Sequence, residues 1–466
     1  MQTPHDDVIA AIATPIGEGS ISVIRLSGAG ARSIADMNFR GRQTLSSVSS
    51  HTAHFGSFFD AEGNMIDQVV ATVFLGPHSY TGQDTVEISC HGGMYVTQKI
   101  LESVFRSGAR PARAGEFTQR AFLNGRMDLS QAEAVADLIR CRSDISHKVS
   151  VFQLQGKLSS VVAEIRQSLV DLCAVVEIGL DFPEEDIEVD ARGEMLTKLN
   201  SVIGKLQQLS DTYNGWRMAR EGVRVALVGR PNVGKSSILN SLIDEDRAIV
   251  TSVPGTTRDV IEENTLIGGM LFTVVDTAGF QPSSDVVEIE GMRRSEQEIK
   301  NSDLLMLIVD ASVGVLSEDI DIFERIKKIA DNSSKILLVA NKIDLGCSAL
   351  SSFETALTSL QRCKVSAKSH AGLSDLKSCI LAITIAKMPA SDPERSAIVA
   401  NARHKAAIER ATQHLRTAQV ETSAGLGGEF VAATMRLAIE SLGEIIGSVT
   451  TEDILEGIFS KFCIGK

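Results

Sequence analysis

The run Gly229-Arg-Pro-Asn-Val-Gly234-Lys235-Ser236 constrains this chain more than any other stretch. A G-x-x-x-x-G-K-S element works only between a buried strand and the start of a helix. There, backbone N–H groups close around an anion and the helix terminus lends its partial positive charge. The flanks fit: Val223–Val228 is apolar but for Arg224, and Ser237–Ile243 is compatible with a helix. Lys235 supplies a compact positive charge for β- and γ-phosphates, and the Ser236 hydroxyl is placed for Mg²⁺. Leu271–Val275, Leu304–Val309 and Ile336–Val339 read as strands buried on both faces, alternating with amphipathic segments. The pattern predicts a doubly wound α/β domain over residues 222–383.

Four ordered companions narrow the ligand. Asp276-Thr277-Ala278-Gly279 ends an apolar run, where a carboxylate reaches a Mg²⁺ shell and Gly279 turns its N–H toward a γ-phosphate. Asn341-Lys342-Ile-Asp344 ends the next strand but one. Asp344 is suited to accept hydrogen bonds from N1–H and the 2-amino group of guanine, an edge that adenine lacks. Ser366-Ala367-Lys368 would close over the base, and Gly255-Thr256-Thr257-Arg258-Asp259 offers a hydroxyl for Mg²⁺ on a switch loop. The nucleotide implied is GTP. The contacts expected are Asn232, Val233, Gly234, Lys235, Ser236, Ser237, Thr251, Thr256, Thr257, Asp276, Thr277, Ala278, Gly279, Asn341, Lys342, Asp344, Ser366 and Ala367.

Phe280 follows this Asp-Thr-Ala-Gly, at the place where Ras-like proteins carry a water-orienting glutamine. A phenyl ring offers water no such bond. Gln281 is adjacent but points elsewhere. Glu288, in the acidic stretch 285–290, is the better placed of the two, although residues alone favour reading it as a solvated switch-helix carboxylate. Charge neutralisation is a second requirement. Asn232 and the segment Thr251–Thr256 offer neutral oxygens that suit a monovalent cation, so K⁺ is expected in place of a donated arginine.

The rest of the chain differs in texture. Residues 1–118 alternate short β-branched runs (Ile21–Leu26, Val69–Leu75, Val86–Cys90) with glycine turns, an α+β pattern. In residues 119–221, Leu158, Val162, Ile165, Leu169, Leu172 and Val176 share one helix face. In residues 384–466, Val431, Met435, Ala438, Leu442 and Ile445 do the same. Neither helical stretch makes a core alone, so the two are expected to pack together with the α/β domain inserted between them.

At 466 residues, about three domains are expected. A net charge of −13 argues against indiscriminate nucleic-acid binding, so RNA contact would need a local basic patch. The seven cysteines form no C-x-x-C pair, which fits a reducing cytoplasm. The opening MQTPHDDVIA shows no secretory pattern, and no apolar run approaches the roughly 20 residues a bilayer span needs. No membrane association is expected. Cys463-Ile-Gly-Lys466 imitates a prenylation box, but glycine and lysine in its last places argue against that chemistry.

Several outer motifs carry a resemblance. They are Ala13-Thr-Pro15 through Gly19 with Ile24-Arg25-Leu26-Ser27-Gly28, and Tyr80-Thr-Gly-Gln-Asp84 leading to Glu87 and His91-Gly-Gly93. Arg113-Ala-Gly-Glu through Asn124-Gly-Arg126 and the terminal Cys463-Ile-Gly-Lys466 complete the set. Together they resemble the MnmE (TrmE) family of bacterial tRNA uridine-modifying GTPases along essentially the whole chain. The resemblance implies a Ras-like doubly wound G domain inserted in a helical domain and preceded by an α+β folate-binding and dimerisation domain. It also implies a K⁺-activated GTPase whose G domains pair in the triphosphate state. Asn232, Thr251, Val253 and Thr256 would hold K⁺, Ser236 and Thr257 would hold Mg²⁺, and Glu288 would be the catalytic glutamate.

Arg25, Glu87, Arg126 and Lys466 match the family's pocket for a tetrahydrofolate derivative, either 5-formyl- or 5,10-methylene-tetrahydrofolate, with Cys463 close by and of open chemical role. The family works as a homodimer with an FAD-dependent partner, MnmG, in a heterotetramer. It places an aminomethyl or carboxymethylaminomethyl group on C5 of the wobble uridine of certain tRNAs. Two departures stand out: Phe280-Gln-Pro282 replaces a segment that is usually basic, and Arg126 stands where lysine is common. An Era-like ribosome-assembly role would need a KH element, and none is convincingly placed. Basic clusters at Arg217/Arg220/Arg224 and Arg403/His404/Lys405/Arg410 are read as solvated helix faces rather than a tRNA surface.

Overall fold

The computed structural model describes residues 7–181, 188–244, 261–277, 286–330, 335–346, 357, 360–389 and 397–466. The chain divides into two compact units, one of Met1–Ile139, Gln153–Ile203 and Ala407–Lys466, the other of Arg140–Phe152 and Gly204–Ala406.

In the first unit, strands β1 (Ile9–Ile12), β2 (Ile21–Ser27), β3 (Phe39–Gly41), β4 (Thr52–Phe59), β5 (Met65–Phe74), β6 (Thr85–His91) and β7 (Arg110–Pro111) form one sheet. Its order is β3-β4-β5-β6-β2-β1-β7, antiparallel except for the β1–β7 pair. β5 starts four residues earlier than the apolar run alone suggested, because Met65, Asp67 and Gln68 pair with β4 although Asp67 and Gln68 interrupt the apolar pattern. Alternation sorts the side chains. Ile24, Leu26, Val73 and Ile88 pack with Ala31, Ala35, Ile100 and Val104 of the helices Ala31–Asn38 and Met94–Arg106. Ile9 and Ala11 pack instead with Ala112, Phe117 and Tyr80.

The two helical stretches meet in this same unit. The helix Lys157–Asp181 buries Leu158, Val162, Ile165, Leu169 and Leu172, while Val176 is half-buried. The helix Gly428–Ile446 buries Val431, Met435, Ala438, Leu442 and Ile445 against it. The Arg166 guanidinium donates to the Ile439 carbonyl at 3.2 Å, tying the pair across the full intervening sequence.

The second unit holds β8 (Val223–Val228), β9 (Ile261–Ile267), β10 (Met270–Asp276), β11 (Leu304–Asp310), β12 (Lys335–Asn341) and β13 (Gln361–Lys364). The sheet order is β13-β12-β11-β8-β10-β9, parallel except for β9. Alternate residues of each central strand enter opposite cores. Leu227, Met306, Ile308 and Val339 face the helices Lys235–Asp244 and Leu373–Ile385, while Ala226, Leu305, Leu307 and Leu338 face the helices Val286–Asn301 and Ser317–Ile329. This is the doubly wound G-domain architecture, and its ligands belong at the carboxyl ends of the parallel strands. The architecture as a whole combines α/β, α and α+β parts. Among the described residues, no helix is long and apolar enough to cross a membrane.

Candidate functional site

β8 delivers the chain into the glycine loop at its carboxyl end, and the helix Lys235–Asp244 starts as the loop closes. Gly234 has φ +95°, and a Cβ there would stand 2.3 Å from Asn341 Nδ2, so this glycine is required both by backbone and by space. That Asn341 amide donates to the Val233 carbonyl at 2.9 Å, and its oxygen accepts the Ala367 N–H at 3.1 Å. One buried side chain thereby joins the phosphate loop, the end of β12 and the base loop. Ser241 adds a second tie, donating to the Ala367 carbonyl at 3.0 Å and to the Ser237 carbonyl at 2.8 Å.

Lys235 Nζ donates to the carbonyls of Gly229 and Arg230, both at 3.0 Å. Burial holds its ammonium below the ordinary lysine range, opposed by the charge of Asp276. The Ser236 hydroxyl donates to Asp276 Oδ2 at 2.7 Å, while buried Asp276 Oδ1 has no hydrogen-bond partner among the described residues. An orphaned carboxylate oxygen beside a serine hydroxyl is a hard-oxygen set that fits Mg²⁺. Thr277 is buried and donates through its hydroxyl to the Leu227 carbonyl at 2.6 Å, a structural tie at the end of β10. Asp344 is exposed, and its Oδ1 accepts the Ser366 hydroxyl at 2.6 Å, which restricts how the carboxylate can turn.

Two carboxylates not singled out from the sequence hold this loop from behind. Asp310, at the end of β11, accepts Lys342 Nζ at 2.7 Å, and the same ammonium donates to the Asn232 carbonyl at 2.7 Å. Asp319 accepts Arg230 Nε at 2.8 Å. Lys342 therefore braces the loop rather than standing open to a ligand. An acid at the end of a strand that neighbours the glycine loop was the available signal for Asp310. Thr251, Val253, Thr256, Thr257, Ala278, Gly279 and the Phe280–Pro282 departure lie outside the described residues. Glu288 falls in the helix Val286–Asn301, with its side chain outside the described set.

A second cluster forms in the first unit. Arg25 and Glu87 are direct partners in the β2–β6 register and project from the same face. Arg25 Nε donates to Glu87 Oε1 at 2.8 Å. The guanidinium lies 5.2 Å from the Tyr80 ring centroid and 5.6 Å from that of Phe117. Residues near the end of the sequence reach the same place. Arg25 NH1 donates to the Gly465 carbonyl at 3.5 Å and the Phe117 N–H to the Lys466 carbonyl at 3.2 Å. Gly465 has φ +96°, and a Cβ there would come within 2.1 Å of the Ile12 carbonyl oxygen. Phe459 and Phe462, packed with Leu129 and Ala132, lead the chain to that position.

Burial and the nearby Arg25 charge hold the Lys466 ammonium below its ordinary range, against the pull of Glu87. Such a lysine gains from an incoming anion. Glu87 Oε2 makes no described hydrogen bond, so one carboxylate oxygen is open to an incoming donor. Cys463 is exposed. Arg126 is exposed too, its stem against Gly82, and makes no described contact with the Arg25–Glu87 pair. Tyr80 and Phe117, aromatic neighbours of an arginine from separate motifs, were visible in sequence only as parts of those motifs.

The basic clusters are neither open nor simply solvated. Arg217 pairs with Asp303, and Arg224 with Glu298 and Glu262. Arg410 pairs with Glu444, and Lys405 Nζ sits 4.9 Å from the Tyr213 ring centroid.

Comparison with known proteins identifies the family. A family model described as "GTP-binding protein TrmE N-terminus" matches residues 8–126, and one described as "MnmE helical domain" matches residues 129–463. A protein of Syntrophotalea carbinolica named tRNA modification GTPase MnmE is 41% identical over 462 residues, covering 99% of this chain and 100% of its own length. Proteins of the same name from Symbiobacterium thermophilum and Salinibacter ruber are each 42% identical over 464 residues, again covering 99% of this chain and all of theirs. With its doubly wound G domain, this chain belongs to the MnmE (TrmE) family of tRNA modification GTPases and is a GTP hydrolase.

Proposed function

We propose that this chain is the K⁺-activated GTPase subunit of a cytoplasmic complex that modifies C5 of the wobble uridine in certain tRNAs. The group added is aminomethyl or carboxymethylaminomethyl, and a tetrahydrofolate derivative supplies the carbon. The observation that carries this reading is the meeting of Arg25, Glu87 and Lys466 on one face of the N-terminal sheet. A bare GTPase switch has no use for such a cluster.

In this reading Glu87 holds the amino-pyrimidine edge of the pterin, and Arg25, Lys466 and the exposed Arg126 meet its carboxylates. Cys463 stands beside them. In the G domain, Asn232 to Ser237, Asp276 to Gly279, and Thr251, Thr256 and Thr257 surround the phosphates. Asn341, Lys342, Asp344, Ser366 and Ala367 frame the guanine. Ser236 and Thr257 ligate Mg²⁺. Asn232, Thr251, Val253 and Thr256 ligate K⁺, which supplies the positive charge that an arginine finger supplies elsewhere. Glu288 orients the attacking water. The working assembly is a homodimer joined to the FAD-dependent MnmG, with domain limits at 118, 221 and 383. Hydrolysis opens and closes paired G domains.

Mass analysis of wobble uridines in cells lacking this protein tests the reading as a whole, and unchanged C5 modification overturns it. Hydrolysis is expected to run faster in K⁺ than in Na⁺, and equal rates remove the Asn232 site. Calorimetric titration of 5-formyl-tetrahydrofolate should give binding that Glu87→Gln weakens. Full modification by a Cys463→Ser variant would leave that thiol outside the chemistry.

A further inference from the structure

Arg230, the second residue of the glycine loop, faces two ways. On one side its Nε donates to Asp319 Oδ1 at 2.8 Å. Asp319 is fully buried, whereas Arg230 keeps 16% of its side chain exposed. The second oxygen of Asp319 accepts the Leu316 N–H at 3.0 Å, so the first turn of the helix Ser317–Ile329 fixes the carboxylate. Glu318 lies 3.7 Å from Arg230 NH1 but is largely exposed, and such a contact adds little. On the other side, the Arg230 carbonyl accepts Lys235 Nζ at 3.0 Å. One residue therefore connects a sealed carboxylate outside the loop to the phosphate-binding ammonium inside it.

We propose that Asp319 is a positioning residue for GTP hydrolysis, acting through Arg230 to set where the Lys235 ammonium stands. Burying a carboxylate completely is costly unless its partner is well placed. Here that partner is a loop residue whose backbone carries the lysine's acceptor. Arginine suits the task because its planar guanidinium resists the wandering a lysine would allow. Lys235 spends two of its three N–H donors on the Gly229 and Arg230 carbonyls, which leaves the third to meet a phosphate oxygen from the place they set. A displacement of about 1 Å in such a group costs on the order of a hundredfold in rate.

The test uses the full chain with Asp319→Asn, Arg230→Lys and the double variant Arg230→Gln/Asp319→Asn. Steady-state hydrolysis separates kcat from KM, and a thermal melt follows folding. Asp319→Asn keeps the volume and an acceptor for the Leu316 N–H, and is expected to lower kcat by about ten- to a hundredfold with a smaller change in KM. Arg230→Lys should also lower kcat, and it reads the same link if the Asp319 variant fails to fold. The double variant removes both charges, so its melting temperature should return toward that of the parent while kcat stays low. Either kcat recovering together with stability in the double variant, or kcat within about twofold of the parent in a folded single variant, overturns the proposal.

Discussion

Glu116→Gln offers a sharp test of how the N-terminal unit is held. Glu116 and Arg120 are each 1% exposed. Glu116 Oε1 accepts Arg110 NH2 at 2.5 Å and Arg120 NH2 at 3.1 Å. Its Oε2 accepts Arg110 NH1 at 2.8 Å and the Arg113 N–H at 2.9 Å. Burial alone would raise the carboxyl's pKa. The bonds from Arg110, the Arg113 N–H and Arg120 overcome that and bring it from 4.5 down to about 2. At about 1.4 kcal/mol per pH unit, that displacement corresponds to roughly 3 kcal/mol in favour of the folded state.

The folded-state pKa is the lower one, so this stabilisation is complete above pH 4.5 and disappears as pH falls toward 2. Glutamine keeps one acceptor but removes the carboxylate charge that Arg110 and Arg120 share with that of Asp7. The local opening free energy should drop by about 2–3 kcal/mol at neutral pH. Hydrogen exchange of peptides covering Glu116–Leu123 is the suitable assay, because the lone tryptophan, Trp216, belongs to the other unit. The gap between parent and variant should close as pH falls from 4.5 to 2. A variant within about 0.5 kcal/mol of the parent at pH 7, or a gap that ignores pH, would refute the reasoning.

Gly234→Ala, whose Cβ would stand 2.3 Å from Asn341 Nδ2, should weaken binding of a fluorescent GTP analogue by at least about tenfold. Asp310→Asn releases Lys342 from its carboxylate, and should weaken GDP and GTP to a similar degree in the same titration. Gly465→Ala should dislodge the residues around Lys466 from Ile12, read as lower affinity for 5-formyl-tetrahydrofolate, with GTP hydrolysis by the G domain retained.

Strand positions in the second unit were legible because β8, β10, β11 and β12 are buried on both faces and read as apolar runs bounded by Gly229, Asp276, Asp310 and Asn341. The two helical stripes were legible for a related reason: each presents one apolar face, and the two faces pack on each other. β5 was read short because its first half, Met65–Gln68, is held by pairing with β4 rather than by burial. In the site, motif residues could be named but not their occupation. Lys342 is a motif lysine, yet only the register of β11 beside β12 reveals that Asp310 holds it. Asp319 carries no motif and became visible only through the loop arginine it faces. The Arg25–Glu87 pair follows from a seven-residue register between β2 and β6, which alternation suggests and only pairing fixes.

The contact between Arg25 and Gly465 spans 440 residues of chain. At about 5–20 residues per second, a ribosome needs on the order of 20–90 s to travel that far. During that interval the N-terminal sheet, and later the whole G domain, emerge before the residues that complete the Arg25 cluster exist. A chain halted anywhere after the G domain would carry a finished nucleotide site and an unfinished Arg25 cluster. Such a product would hold the nucleotide site while lacking the Gly465 carbonyl to which the Arg25 guanidinium donates. Placing Gly465 and Lys466 inside the cluster makes synthesis through these two residues a condition for assembling it.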